Sequence, residues 1–122
     1  MNTPNIPTGF KHYGTDSSYN SSIAPLYLKT DNDQLIIGMP LDSSHCNPAG
    51  FFHGGAIMTL VDVGFASALG YALGKFMSTP TITLNFDFMN KARAGDWVEI
   101  KIDSLEIKRS IGFVGGTGSE ER

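Results

Sequence analysis

The stretch NPAGFFHGGAIMTLVDVGFASALGYAL, residues 47–73, holds the side chains whose types and spacing could do chemistry. Within it Asp62 sits between Val61 and Val63, inside an apolar run that reads as a helix. At about 100° per residue from Ile57, the residues Val61, Gly64, Phe65, Ala68 and Ala72 fall on one face, with Leu60 at its margin. Asp62 then lies about 100° from the centre of that face, on a shoulder shared with Met58, Phe65 and Leu69, none of which offers a positive partner. A carboxylate so placed needs hydrogen-bond donors. Two roles are open to it: a structural acceptor for a strand threonine or a backbone amide, or a base.

Nine residues before Asp62 stands His53, followed by Gly54 and Gly55. They mark the helix start, where the first N–H groups lack intrahelical acceptors and the macrodipole favours negative charge. Two glycines leave room for another molecule's carbonyl oxygen to approach those amides, which is an oxyanion site in outline. His53 alone reads as a hydrogen-bonding residue at the helix start. The acid lies about two turns further on, at roughly 5.4 Å per turn, too far to share a small substrate with the amides of its own helix. A second copy of the helix could close that gap. Phe51 and Phe52 either line an acyl or aryl pocket or staple the helix start. His45 and Cys46 are adjacent, yet no third ligand or base stands at a zinc or thiol-catalysis spacing, so both read as loop residues and no metal is expected.

Several elements must position these groups. Residues 1–22 form an irregular arm rich in Asn, Thr, Ser, Gly and Pro, and 23–122 a single core. In APLYLKTDNDQLIIGMPLD, Leu26 and Leu28, then Leu35, Ile37 and Met39, alternate on either side of Asp31-Asn32-Asp33, which predicts a hairpin. SSHCNPAGFF is a loop that delivers the chain to the helix. Gly64, Ala66, Ala68 and Gly70 lower helix propensity, so another surface must approach closely; the helix is wrapped. TITLNFDFM is the clearest strand, with Ile82, Leu84, Phe86 and Phe88 alternating against Thr81, Thr83, Asn85 and Asp87. In WVEIKIDSLEIK the apolar parity switches from Val98, Ile100 and Ile102 to Leu105 and Ile107, the mark of a β-bulge near Asp103-Ser104. A last strand begins at SIGFV, after a tight connection around Arg109. Trp97 reads as a sheet-surface or interface residue, and Met77 and Met89 as core or pocket filler. The order is α+β: a curved antiparallel sheet around one central helix.

Composition bounds the partners. The 122 residues are 41% hydrophobic and 17% charged, which suits one domain, and so small a domain with a broad apolar face is expected to dimerise. Net charge is −3 and the nine Lys and Arg are scattered, Lys108-Arg109 reading as a solvated tip, so no nucleic-acid partner is expected. One cysteine permits no internal disulfide and fits a reducing compartment. Gly64, Gly70 and Asp62 interrupt the longest apolar run, so no membrane span is expected, and MNTPNIPTGF lacks the features of a signal peptide. A cytoplasmic protein follows.

Asn47, His53-Gly54-Gly55 and Asp62, in the pattern N-x5-H-G-G-x6-D and followed by a polar-edged strand, resemble the hotdog-fold thioesterases of the phenylacetate-pathway type. The resemblance covers residues 24–114 as a succession of elements, and its specific part is 47–62. It implies a sheet wrapped around a long helix, homodimers that often pair into tetramers, and acyl-CoA hydrolysis at the dimer interface without a cofactor. It further implies Asp62 as general base or nucleophile, the Gly54 amide as the group polarising the carbonyl, and Asn47 holding the water or the carbonyl. His53 would orient loop and substrate, and Thr81, with Thr83 as fallback, would assist the acid from the same subunit. Gly55, Phe51, Phe52, Met58 and Thr83 would contact substrate. The resemblance also implies a longer last strand and one more, where this chain offers only GGTGSEER, so the core is expected to be incomplete at that end and its open edge prone to exchange. Two rivals stand beside hydrolysis: a hotdog domain that binds acyl-CoA or an aromatic ligand without turnover, and a hotdog dehydratase or hydratase, whose usual His-and-acid loop pattern is not seen.

Overall fold

The computed structural model describes residues 6–14, 18–23, 25–75, 79–87, 91–108 and 111–121. Among the described residues, five antiparallel strands run in the order β1 (Lys11–Tyr13), β2 (Leu26–Asp31), β3 (Gln34–Pro40), β4 (Trp97–Lys108) and β5 (Ile111–Glu121), and one α-helix, α1 (Gly54–Leu73), packs on them. The β2–β3 hairpin closes at Asp31 and Gln34 through Asn32 and Asp33, whose φ values of 51° and 64° are the left-handed pair that a two-residue turn between twisted strands requires. Leu35, Ile37 and Met39 face α1 and are buried. The opposite face of the sheet is also covered. Trp97 lies over Gly38, where a Cβ would come within 2.1 Å of Trp97 Cζ2, and Phe10 meets the indole edge-on at 5.0 Å. Trp97 is therefore a sheet-surface residue, as its sequence position suggests, but the N-terminal arm buries it. That arm is less irregular than its composition implies: Lys11–Tyr13 adds a three-residue edge strand to β2, and Tyr19–Ile23 forms a 3-10 turn.

The bulge forms where parity switches, with the register stepping from Ile102↔Gly116 to Ser104↔Gly115. Glycine permits this crowding, since a Cβ on Gly116 would fall 2.2 Å from Lys101 O. β5 runs on to Glu121, well beyond the alternating residues, because a ladder needs only backbone groups and β4 supplies the template. The alternation at 81–89 predicts a strand, yet its described part, 81–87, pairs with none of the described strands. A strand needs a neighbour's backbone within ladder distance, whereas this segment reaches β5 through a side chain, Phe86 Cζ lying 3.4 Å from where a Cβ on Gly118 would stand. Its pattern survives only in packing: Leu84 and Phe86 press on the core, while Ile82 is 83% exposed. Met77 and Met89, and the Arg109 connection, lie outside the described residues.

His53 caps the start of α1, and Gly74, at φ 71°, closes its end by donating to Gly70 O and Tyr71 O. The buried face is Leu60, Val61, Gly64 and Ala68, flanked by half-buried Ile57 and Phe65; Ala72 is exposed. Gly64 brings the helix onto Ile37, and Leu69 lies against Gly112 of β5. On the other flank Tyr13 Oη meets Ser67 Oγ at 3.0 Å and Tyr19 Oη meets Thr59 Oγ1 at 3.2 Å. The helix is wrapped on three sides. Its 20 residues are long and apolar enough to cross a bilayer, so Gly64, Gly70 and Asp62 do not break the run as expected; here its apolar face packs on β4 and β5 and on Ile37 of β3.

Candidate active site

The loop between β3 and α1 is a small hairpin. Cys46 bridges Phe52, Asn47 N donates to Phe51 O at 2.8 Å, and Gly50, at φ 88°, shapes the tip. Asn47 Oδ1 accepts from Ala49 N at 3.0 Å and Phe51 N at 3.1 Å. Its oxygen is thus committed to the loop, and Nδ2 is left as the donor it can offer outward. The returning arm is stitched to the segment before β4: Phe52 N donates to Ala92 O at 2.7 Å and Phe51 bridges Arg93.

At the helix start His53 Nδ1 accepts from Gly55 N at 2.8 Å, and His53 O accepts from Ile57 N at 2.9 Å. The Gly55 amide is therefore occupied. The Gly54 N–H, on an exposed residue, has no acceptor among the described residues. It and Asn47 border a cavity of about 730 Å³, with Phe51, Phe52, Ile57 and Leu60 on one wall and Phe86, Val98 and Ile100 among the others. Lys91 lines it too. The Lys91 Nζ lies 4.9 Å and the Arg93 Cζ 5.5 Å from the centre of the Phe51 ring, as expected for residues two apart on extended chain, and neither makes an ion pair with a described residue. Asp87, Glu99 and Glu120 belong to the same cavity, so it carries both signs of charge. Scattered basic residues gave no signal for Lys91 and Arg93; the spacing Lys-x-Arg beside an aromatic loop is the trace that could have found them.

Asp62 lies elsewhere. Thr81 Oγ1 donates to Asp62 Oδ1 at 2.5 Å, and Asp62 is half-buried, outside the lining of the cavity. Eight residues separate it from Gly54, about 12 Å along the axis at about 1.5 Å per residue. One chain therefore gathers the site residues into two groups: Asn47, Gly54, Phe51 and Phe52 on the cavity, and Asp62 with Thr81 on another flank of α1. Met58, half-buried, and Thr83, exposed, line neither the cavity nor this hydrogen bond. Among the described residues no cluster of His, Cys, Asp and Glu is suited to a metal.

Below the loop, Asp42 caps a 3-10 turn at Ser43–His45. Ser44 Oγ donates to its carboxylate at 2.5 Å and Ser44 N at 2.7 Å. The Ser44 hydroxyl does most to hold the Asp42 pKa below the usual carboxylate value; partial burial opposes it, and the Ser44 amide reinforces it.

A family model described as the thioesterase superfamily matches residues 49–121, more than half of the chain. The chain belongs to the thioesterase superfamily. A Pseudomonas aeruginosa protein bearing an esterase name is 34% identical over 104 residues, spanning 83% of this chain and 78% of that one. A Caenorhabditis elegans protein with a similar name is 26% identical over 98 residues, 80% of this chain and 57% of its own length. The crystal structure of zebrafish thioesterase superfamily member 2 superposes with a TM-score of 0.71 at 21% identity, over 87% of this chain and 77% of that one, which is a likeness of fold. The fold of this thioesterase-superfamily chain is thus the hotdog: one long helix against a curved, open antiparallel sheet. Membership supports thioester hydrolysis as the class of reaction.

Proposed function

We propose that this chain hydrolyses acyl- or aryl-acyl-CoA, in the manner of the phenylacetate-pathway thioesterases, at a site that two copies assemble. The copies form a homodimer, which pairs again into a dimer of dimers. The observation that carries this reading is the hydrogen bond from Thr81 to Asp62, at 2.5 Å, on a helix whose Gly54 amide, unpaired among the described residues, lies too far away to act with it in the same copy. One copy offers the donors and the other offers the acid.

Asp62 takes a proton from water as the water oxygen adds to the thioester carbonyl carbon. Charge gathers on the carbonyl oxygen, toward the Gly54 N–H and Asn47 Nδ2. The intermediate then collapses, the C–S bond breaks, and the thiolate recovers the proton, leaving a carboxylic acid and a free thiol. Thr81 engages one carboxylate oxygen and leaves the other for water. Lys91, on the cavity lining, and Arg93, over the same Phe51 ring, suit the phosphates of CoA. The test is thiol release over short, long and aryl acyl-CoAs. Asp62→Asn should lower kcat by about 10²- to 10⁴-fold with the fold retained; undiminished hydrolysis by that variant overturns the reading.

A further inference from the structure

We propose that His45 is a positioning residue for this site: its ring and its carbonyl pin the base of the loop so that Asn47 presents its amide to the cavity beside Gly54. The inference rests on the thioesterase reading above. His45 is 2% exposed although the other residues of 42–51 are open to solvent or half so. Asp42 N donates to its Nδ1 at 3.1 Å, so that nitrogen carries no proton, and its contact of 3.5 Å with the Asp42 carboxylate is not the bond that holds it. Its carbonyl accepts from His53 N at 2.9 Å, which makes His45 and His53 the closing pair of the loop hairpin. One residue therefore joins both ends of the loop to the chain leaving β3. That chain is itself fixed, since Leu41 N donates to Asp96 O and Gly95 N to Leu41 O, each at 2.9 Å.

The two arms of the hairpin are held differently. The returning arm, which leads to Gly54, has its own anchor in Phe52 N to Ala92 O and the Phe51–Arg93 bridge. The outgoing arm, Cys46 and Asn47, is tied across to the returning arm, to Ser43 O through Cys46 N at 3.2 Å and to Asp42 O through Cys46 Sγ at 3.4 Å, while the His45 ring just before it is fixed to the Asp42 amide. Loosening the ring should let Asn47 drift while Gly54 stays. A donor displaced by even about 1 Å loses much of its effect on a transition state.

Two isosteric variants test this. The Oδ1 of His45→Asn can accept from Asp42 N where Nδ1 did, whereas the amide of His45→Gln reaches toward the position of Nε2 and leaves the Asp42 N–H unpaired. His45→Gln should lower kcat by about ten- to a hundredfold with KM within about twofold, and His45→Asn should keep kcat near the parent value. On an Asn47→Asp background, which retains the Oδ1 acceptor of the loop but removes the Nδ2 donor, His45→Gln should cost little more. Equal activities for Gln and Asn, or a full additional loss on the Asn47→Asp background, overturn the inference. Hydrogen exchange on the parent protein gives an independent reading: rapid exchange of the Asp42 amide overturns it, and protection near that of the sheet supports it. If the parent releases no thiol from any acyl-CoA, or Asp62→Asn is fully active, the function fails instead; a parent inactivated by Asp62→Asn but indifferent to His45→Gln isolates the failure to His45.

Discussion

Thr81 Oγ1 lies 2.5 Å from Asp62 Oδ1, and losing that hydroxyl would leave a half-buried carboxylate short of a donor. Thr81→Val keeps the side-chain shape and removes only the bond. It should lower kcat by about ten- to a hundredfold, while Thr81→Ser recovers most of it; steady-state kinetics on the two variants decides, and equal rates would make the bond structural. Lys91 and Arg93 act on a different quantity. If they meet phosphates, the double change to Gln should raise KM for an acyl-CoA by about tenfold or more, steepen with falling salt, and leave a neutral truncated thioester such as an acyl-N-acetylcysteamine unaffected. Equal effects on both substrates would remove the phosphates from the account. These two sets of residues differ in how far the sequence exposes them. Asp62 is conspicuous because an acid in an apolar helix is out of place, and a threonine-rich segment follows it. Lys91 and Arg93 gain meaning only from Phe51, brought beside them by a bridge between residues 42 positions apart.

Elements were legible where the cause was local. Asn32-Asp33 turn the hairpin and the parity switch at Asp103-Ser104 makes the bulge, each through conformations that a few neighbouring residues decide. Elements whose cause is a neighbour were not: Lys11–Tyr13 is a strand because β2 offers an edge, β5 crosses its glycines because β4 templates it, and 81–87 alternates without joining the ladder of the described strands. Close approach is the same effect seen from one residue. Gly38 has Trp97 above it, so Gly38→Ala would drive a methyl into the ring at 2.1 Å from Cζ2 and force the indole off its site against Phe10 and Tyr27. The change should destabilise the fold by about 1–3 kcal/mol, visible in denaturant unfolding and in altered Trp97 fluorescence. An unchanged midpoint would mean that the arm and its tryptophan contribute little to the sheet.

At the scale of the whole molecule the question is whether one chain is an enzyme at all. Its donors border the cavity, its acid sits about 12 Å along the helix on another flank, and nothing in the β2–β3 or β4–β5 hairpins can bring the two together without unmaking the core. A two-fold axis that sets two helices side by side would pair the donors of each with the acid of the other. Mixing inactive variants tests this directly. Asp62→Asn spoils the acid and Asn47→Asp spoils a donor, so each homodimer has two defective sites. In a mixed dimer one site takes both lesions and the other takes neither. Random reassortment of equal amounts should therefore restore about a quarter of the parent activity, because about half of the dimers are mixed and each has one sound site. If acid and donors served the same site from a single copy, every site in the mixture would keep one lesion and no activity would return. Subunit exchange must be shown in the same experiment, by native mass measurement of differently tagged copies. Mixed dimers without recovered thiol release would place acid and donors in one chain.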